Sequence, residues 1–392
     1  MKKFTYLLIS LLITFNACSN SDNDTIVSES PSKLLTPLTA EQAQTPQVLF
    51  ADLQKIKAGE ESPVIAQNLI NYIDAVPEGA SIHVSIYLFD YKPILLALRK
   101  AYLRNVELNI MVDASDRSNN EETVIEINSW GDDIQIVKIK NDAGSTAINH
   151  NKFVLLSEVA TKGNTLEKVV FQTSHNFEQV SLSKIQDAVI FADSELYNAY
   201  LKYWDTMKGL SSSGMKNYVY TQYTNTTGDL SANFYPKRKD GERYGEDTFI
   251  EILNNITDPS ATTIQVGMSD WSDSRISILN KLKELLSQGA TIEIITKTSN
   301  KGPKILGGLK DIQDQGAYVK IYNTSQINIH MKVMLINGSY KNGEHNIIIT
   351  GTQNFTNNAL WNNNETTLIL TDHMFFPQYE EYFSQLKLLP GS

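Results

Sequence analysis

At 392 residues, with 41% hydrophobic and 20% charged residues, the chain is long enough for two ordinary domains or for one body made of two related halves. A formal net charge of −10 argues against a protein that lives on nucleic-acid phosphates through a general basic field, while leaving room for a local basic pocket. The single cysteine, Cys18, excludes an internal disulfide.

Met1-Lys2-Lys3 followed by the apolar run Phe4 to Ala17 has the form of an export signal, over residues 1–17, too short to span a bilayer comfortably. Phe15-Asn16-Ala17-Cys18 resembles a bacterial lipobox, with a small residue before the cysteine. That resemblance implies a lipid on Cys18 and an exported lipoprotein of the cell envelope; the alternative is a plain secretory signal with an incidental cysteine. The polar stretch that follows, with Pro31, Pro37 and Pro46, reads as a flexible tether over residues 18–60.

A first half is expected over residues 61–210. Ile65, Leu69, Ile73 and Val76 fall on one face of a helix, and Ser81 to Phe89 reads as a strand running into Asp90. A helix over Ile94 to Asn105 and strands over Val106 to Asp113 and Ile134 to Lys140 follow. His150-Asn151-Lys152 then opens the apolar run Phe153-Val154-Leu155-Leu156, and Val169-Val170-Phe171 delivers Thr173-Ser174-His175-Asn176. A last strand begins near Asp187, and Leu196, Tyr200, Tyr203, Trp204 and Met207 mark a helix.

Residues 211–247 are long, irregular and tyrosine-rich, and read as a linker or lid. Tyr218, Tyr220, Tyr223, Phe234, Tyr235 and Tyr244 there are expected to meet a membrane surface or a choline-like cation. The basic run Lys237-Arg238-Lys239 is either a solvated loop or phosphate-facing.

The second half, over residues 248–392, repeats the plan. Thr263 to Ser269 is a strand running into Asp270-Trp271, Ile276 to Leu286 a helix, and Thr291 to Ile295 a strand. His330-Met331-Lys332 opens Val333-Met334-Leu335-Ile336; Gly351-Thr352-Gln353-Asn354 follows, and Glu365 precedes the last strand. His150 and His330 each stand 60 residues after an Asp, at 90 and 270, and an Asn and a carboxylate follow each at nearly matched distances. The alternation of strands and helices predicts an α/β protein of two pseudo-symmetric α/β/α sandwich halves sharing one active site, the two His-Lys strands facing each other.

Two histidines, two lysines and two asparagines in one pocket suit a phosphodiester. One imidazole attacks phosphorus while the other protonates the leaving oxygen, and the lysine and asparagine donors hold the non-bridging oxygens. Asp187 and Glu365 stand where a carboxylate could fix the tautomer of each histidine. His175 either lines the pocket or is exposed, and Asp270 and Trp271 end a strand where α/β sites gather, as substrate contacts or as caps.

These two sets resemble the phospholipase D superfamily, whose signature is H-x-K-x4-D followed by G-S/T-x-N. The match is His150, Lys152 and Asn176 with His330, Lys332 and Asn354. It departs at Ser157 and Asn337, which replace the motif aspartates, and at Thr173, which replaces glycine. The resemblance implies a phosphodiesterase with a phosphohistidine intermediate, His150 as nucleophile, His330 as acid, and no metal or other cofactor; the residues alone leave the two histidine roles open. The expected substrate is the headgroup phosphodiester of a glycerophospholipid, hydrolysed or transferred, by a monomer held to the membrane through its N-terminal anchor. The alternatives are a secreted metal-independent nuclease, which the charge disfavours, and a catalytically silent binding or structural protein.

Overall fold

The computed structural model of the chain describes residues 34–212, 214–341 and 343–390. The expected export signal over residues 1–17 and Cys18 lie outside the described residues.

In chain order, strand β1 (Gln47–Phe50), helices α1 (Leu53–Lys57) and α2 (Val64–Asp74), β2 (Ser81–Ile86), α3 (Lys92–Leu103) and β3 (Glu107–Asp113) come first. They are followed by α4 (Glu121–Asn128), β4 (Gln135–Ile139), β5 (Lys152–Ala160), β6 (Thr165–Thr173), β7 (Lys184–Ile185), β8 (Asp187–Ala192) and α5 (Ser194–Leu210). The middle of the chain carries β9 (Thr221–Thr224), β10 (Leu230–Phe234), β11 (Arg238–Lys239) and β12 (Glu242–Arg243). The remainder runs α6 (Thr248–Leu253), β13 (Ile256–Met268), α7 (Ile276–Ser287), β14 (Thr291–Lys297), α8 (Pro303–Asp314) and β15 (Tyr318–Tyr322). It ends with β16 (Asn328–Ile329), β17 (Lys332–Tyr340), β18 (Gly343–Gly351), α9 (Asn357–Trp361), β19 (Thr366–Thr371) and α10 (Phe376–Leu388).

One sheet has the order β1-β8-β6-β5-β2-β3-β4 and the other β15-β14-β13-β17-β18-β19-β10-β9. Read from opposite ends, these are one seven-stranded topology, to which the second sheet adds β9 at its edge. A parallel trio (β2, β3, β4 or β13, β14, β15) meets an antiparallel meander at the strand that begins with the motif lysine. Helices α2 and α3 cover the outer face of the first sheet, and α7 and α8 that of the second. Between the sheets lies the largest core, built from α5, α10 and the facing side chains of both halves, among them Phe153, Leu155, Val333 and Leu335. The aromatic stripe of α5 is buried there because its 3.6-residue period presents Tyr200, Tyr203, Trp204 and Met207 on one face.

Two boundaries shift from expectation, for one reason. The tether expected to reach residue 60 contains β1, which pairs antiparallel with β8, Gln47 opposite Ile190. The linker or lid expected over residues 211–247 contains β10, which pairs the same way with β19, Leu230 opposite Leu370. These strands occupy equivalent places beside the last strand of each meander; β1 is the edge of the first sheet, whereas β10 pairs on its far side with β9, the edge of the second. Such four- and five-residue strands carry little hydrophobic periodicity. Because the middle segment joins the sheet, most of its aromatics face inward: Tyr218, Phe234 and Tyr235 are buried, Tyr220 and Tyr223 are half-buried and Tyr244 is exposed. Lys237 is likewise buried, ion-paired to Glu251 at 2.7 Å, and Arg238 donates to the carbonyl of Trp361. Among the described residues no helix is long and apolar enough to cross a membrane.

Candidate active site

The approaches to the two His-Lys strands cross between the halves. The His150 backbone N–H donates to the carbonyl of Asn364 (2.9 Å), and the Asn364 N–H returns to Ile148 (3.0 Å). In the other half, the His330 N–H donates to the carbonyl of Ile185 (2.9 Å), where β16 runs parallel to β7. Each histidine is therefore fixed by the chain of the opposite half. Each motif lysine, two residues on and on the same face of its strand, folds back onto the carbonyl of its histidine: Lys152 Nζ to His150 at 2.8 Å, Lys332 Nζ to His330 at 2.5 Å.

This crossing selects the partner of each imidazole. His150 Nδ1 lies 2.8 Å from Oε2 of Glu365, a fully buried carboxylate whose other oxygen accepts from Asn363 Nδ2 at 3.0 Å. Because the carboxylate only accepts, Nδ1 carries the proton and Nε2 keeps its lone pair. His330 Nδ1 lies 3.1 Å from the carbonyl of Ser174 and 3.1 Å from Oε1 of Gln186. Gln186 is oriented by its own amide N–H donating to the Ser181 carbonyl. With two neutral oxygens accepting at Nδ1, His330 takes the same tautomer without a carboxylate behind it, although Lys332 Nζ also stands 3.3 Å from that nitrogen.

Asp187, expected behind a histidine, is not there. Residues 185 and 364 occupy equivalent places in the crossing, so the counterpart of Glu365 is Gln186, and Asp187 corresponds to Thr366; these two open β8 and β19 opposite Phe50 and Phe234. A one-residue offset turns a strand side chain to the other face. The Asp187 carboxylate instead accepts from Ser174 Oγ (2.7 Å), Tyr379 OH (2.8 Å) and Thr350 Oγ1, clamping both motif loops from behind. Spacing from the histidines misses Gln186, which stands 36 residues after His150 against 35 for Glu365 after His330, because it is not a carboxylate and the nearest carboxylate, Asp187, lies one residue further on. Aligning Gln186-Asp187-Ala188-Val189 with Glu365-Thr366-Thr367-Leu368 by their apolar runs exposes it.

A cleft of about 480 Å³ opens beside His150, lined by Tyr87 and Arg117 from the first half and by Asp270, Ser272, Asn354 and Thr356 from the second. Asn354 holds the backbone N–H of Asp270 through its side-chain oxygen at 3.2 Å. Asn176, its counterpart, is buried, and its amide oxygen makes no hydrogen bond within the protein. Asp270 does line the cleft, where Lys297 stands 3.4 Å away. Trp271, expected at the substrate, is completely buried: it packs edge-on against Phe355 at 4.9 Å and its indole N–H donates to the carbonyl of Arg275. It is a core residue. His175 is only 2% exposed and lies near Lys152 and Lys184; burial drives its pKa down to about 3, so its ring is neutral. Among the described residues no group of three or more His, Cys, Asp or Glu side chains could hold a metal ion.

The family model for "cardiolipin synthase, PLD-like domain" matches the chain twice, over residues 70–209 and 252–387. The chain belongs to the phospholipase D superfamily, whose matched family groups phosphodiesterases with phospholipid-modifying enzymes. No curated protein matches the sequence. Among solved structures, phosphatidylserine synthase from Haemophilus influenzae Rd KW20 shares the fold at a TM-score of 0.58 and 12% identity, covering 90% of this chain and 88% of that one. Polyphosphate kinase from Porphyromonas gingivalis matches at a TM-score of 0.53 and 10% identity over 86% of this chain, which spans 49% of the kinase.

Within this superfamily the chain's departures have local explanations. Gly351 is required because a Cβ there would stand 2.2 Å from the carbonyl oxygen of Thr366. Its counterpart Thr173 instead uses its hydroxyl, donating to the Asp187 carbonyl (2.7 Å) and accepting from the His175 N–H (3.0 Å). Ser157, in place of the first motif aspartate, accepts from the Ser81 N–H at 2.8 Å and ties β5 to the start of β2.

Electrostatically the phospholipase D-like site is poised for an anion. Burial lowers the pKa of His150, opposed chiefly by Glu365. His330 is held well below its usual value by burial and then by Lys332, Lys184, Lys297 and Lys152. Burial takes Lys152 down to about 7 and Lys332 well below the usual lysine range, with Lys152 the next cause for Lys332. Each lysine also depresses the other half's histidine, which shows that both sets share one electrostatic environment. Burial and mutual repulsion thus disfavour the charged forms of these imidazoles and lysines, and one bound phosphodiester relieves that.

Proposed function

We propose that the protein cleaves or transfers the headgroup of a glycerophospholipid through a phosphohistidine on His150. The crossed pair His150–Glu365 carries this reading. Attack by Nε2 leaves a phosphorylated imidazolium, and a carboxylate on Nδ1 neutralises that charge in a dry site. His330 has the neutral Ser174 carbonyl and Gln186 amide behind it and no carboxylate, so once protonated it gives up its proton readily, as an acid serving the leaving oxygen must. Lys152, Lys332, Asn176 and Asn354 hold the non-bridging oxygens, and water or a second alcohol then releases the phosphoryl group, with His330 as base. A lipid substrate is supported by the matched family's description and by the export signal and lipobox-like sequence at the N-terminus.

The protein from Thr45 onward lacks that whole N-terminal segment but keeps β1, and it suits the assay. Without added metal it releases headgroup from phosphatidylcholine or phosphatidylethanolamine vesicles, and His150→Ala or His330→Ala abolishes release. Cleavage of single-stranded DNA with none of lipid would overturn the substrate. No turnover of either, with both variants as stable as the parent, would make this a silent binding protein. We also propose that Cys18 carries a lipid anchor: Cys18→Ala releases the full chain from the membrane fraction, and unchanged membrane association refutes it.

A further inference from the structure

The tyrosine beside His150 has no aromatic counterpart in the second half. Ile86, the last residue of β2, is opposite Lys152, and Met268, the last of β13, is opposite Lys332, so the residue that follows is Tyr87 in one half and Ser269 in the other. The backbones agree at this point. The Tyr87 carbonyl accepts from Nδ2 of the buried Asn120 at 2.7 Å, and the Ser269 carbonyl accepts from Lys301 Nζ at 2.7 Å. The side chains diverge. Ser269 is fully buried and its hydroxyl donates to Asp270 Oδ1 at 3.2 Å, whereas Tyr87 is half-buried and lines the cleft beside His150.

The Tyr87 ring touches both members of the first His-Lys set. Its centroid stands 5.3 Å from that of the His150 imidazole at a tilt of 58°. Lys152 Nζ, which donates to the His150 carbonyl at 2.8 Å, lies 5.5 Å from the same centroid. An ammonium within about 6 Å of an aromatic face is attracted by the ring's quadrupole, which here favours the charged form that burial opposes. Asn120 secures the segment, since its Oδ1 also accepts the Phe89 N–H at 2.9 Å and so fixes the backbone on both sides of Leu88. Among the described residues no aromatic ring pairs with His330 or Lys332, and the Tyr87 hydroxyl has no hydrogen-bond partner. The ring, rather than the hydroxyl, is therefore what the protein uses. Burial is the first cause of the lowered pKa of both His150 and Lys152, and Tyr87 covers them on the side where the cleft opens.

We infer that Tyr87 is a positioning residue that covers the nucleophile: its ring keeps water off His150 and holds Lys152 in place, and the want of such a ring beside His330 is a second difference between the halves that marks His150 for attack. This rests on the reading of His150 as the nucleophile. A neutral imidazole shielded from water attacks phosphorus without first shedding hydrogen-bonded solvent, whereas the acid on the other side exchanges its proton with an alcohol or water and needs no cover.

The charged groups facing these rings are Glu365, Lys152 and Lys332 for His150 and Asp113, Arg117 and Glu178 for Tyr87, and substitution of Tyr87 leaves all of them in place. NMR titration of the histidine rings in the full chain, with the His150 signal assigned by its loss in His150→Ala, reads the cover without turnover. In Tyr87→Ser the His150 pKa rises toward the usual histidine value of about 6.5, and in Tyr87→Phe it stays at the parent's. With phosphatidylcholine vesicles, kcat falls about tenfold or more in Tyr87→Ser and stays within about twofold in Tyr87→Phe. The acidic limb of kcat/KM moves to higher pH in Tyr87→Ser alone, because His150 stays protonated to a higher pH. Where Tyr87→Ser does not fold, Tyr87→Leu, which also lacks the aromatic face, reads the same shifts. An unmoved His150 titration in the folded variant overturns the cover. So does Tyr87→Phe as impaired as Tyr87→Ser, which would give Tyr87 to the substrate through its hydroxyl. A His150 titration that moves as stated, in a chain that turns over no phosphodiester, refutes the catalytic reading alone.

Discussion

Glu365, from the second half, accepts the Nδ1–H of His150, from the first, at 2.8 Å, while Asp187, the carboxylate at nearly the same spacing in the other half, touches no histidine. Glu365→Gln keeps a hydrogen bond but removes the charge, and kcat falls by about 10²-fold or more. Asp187→Asn leaves the chemistry within a few-fold and lowers stability by about 1–3 kcal/mol, because buried hydroxyl donors lose a charged acceptor. Steady-state kinetics with denaturant unfolding separates the two, and equal catalytic losses would contradict the assignment.

Gln186 sets the acidity of His330. In Gln186→Glu a buried carboxylate faces the imidazole, so its pKa rises by about one unit or more. The alkaline limb of the kcat profile then moves to higher pH, since His330 stays protonated longer in the enzyme–substrate complex. An unmoved limb would show that His330 is not the titrating acid.

Trp271 is a core residue. Trp271→Ala costs about 3–5 kcal/mol by denaturant unfolding. Trp271→Phe refills most of the volume and leaves KM unchanged; a raised KM at preserved stability would restore Trp271 to the substrate.

Stability depends on pH with a definite sign. His150, His330, Lys152 and Lys332 all have lower pKa values folded than unfolded, so the unfolded chain binds more protons and stability rises with pH. The histidines cost stability as pH falls through about 6.5, the unfolded value. Lys152 adds stability as pH rises from about 7, its folded value. That gain is complete near the unfolded lysine value of about 10.4. Thermal melting from pH 6 to 9 therefore shows a rising Tm, and Lys152→Met flattens the rise; parallel curves would contradict the buried charge.

Much of this architecture is legible in the chain because it is written twice. The repeated His-x-Lys and Asn loops, with matched strands on either side, point to one α/β plan and one shared site. What escapes is set by neighbours rather than by local pattern. Strands β1 and β10 are too short to carry a period and are ordered by pairing with β8 and β19. Helix α8 is disguised by Gly307 and Gly308, yet Gly308 lies against α7, where a Cβ would stand 2.7 Å from Leu279. The exchange of Asp187 for Gln186 turns on a single residue of register, which spacing between distant motifs does not resolve.

The central claim is that His150, backed by Glu365, bears the covalent phosphoryl group. Intact-protein and peptide mass spectrometry of the His330→Ala variant, quenched in acid-free conditions during reaction with phosphatidylcholine vesicles, tests it most directly. The account predicts a phosphatidyl adduct on His150, absent from the His150→Ala variant. An adduct on His330 in the His150→Ala variant, with none on His150 in its counterpart, would contradict it.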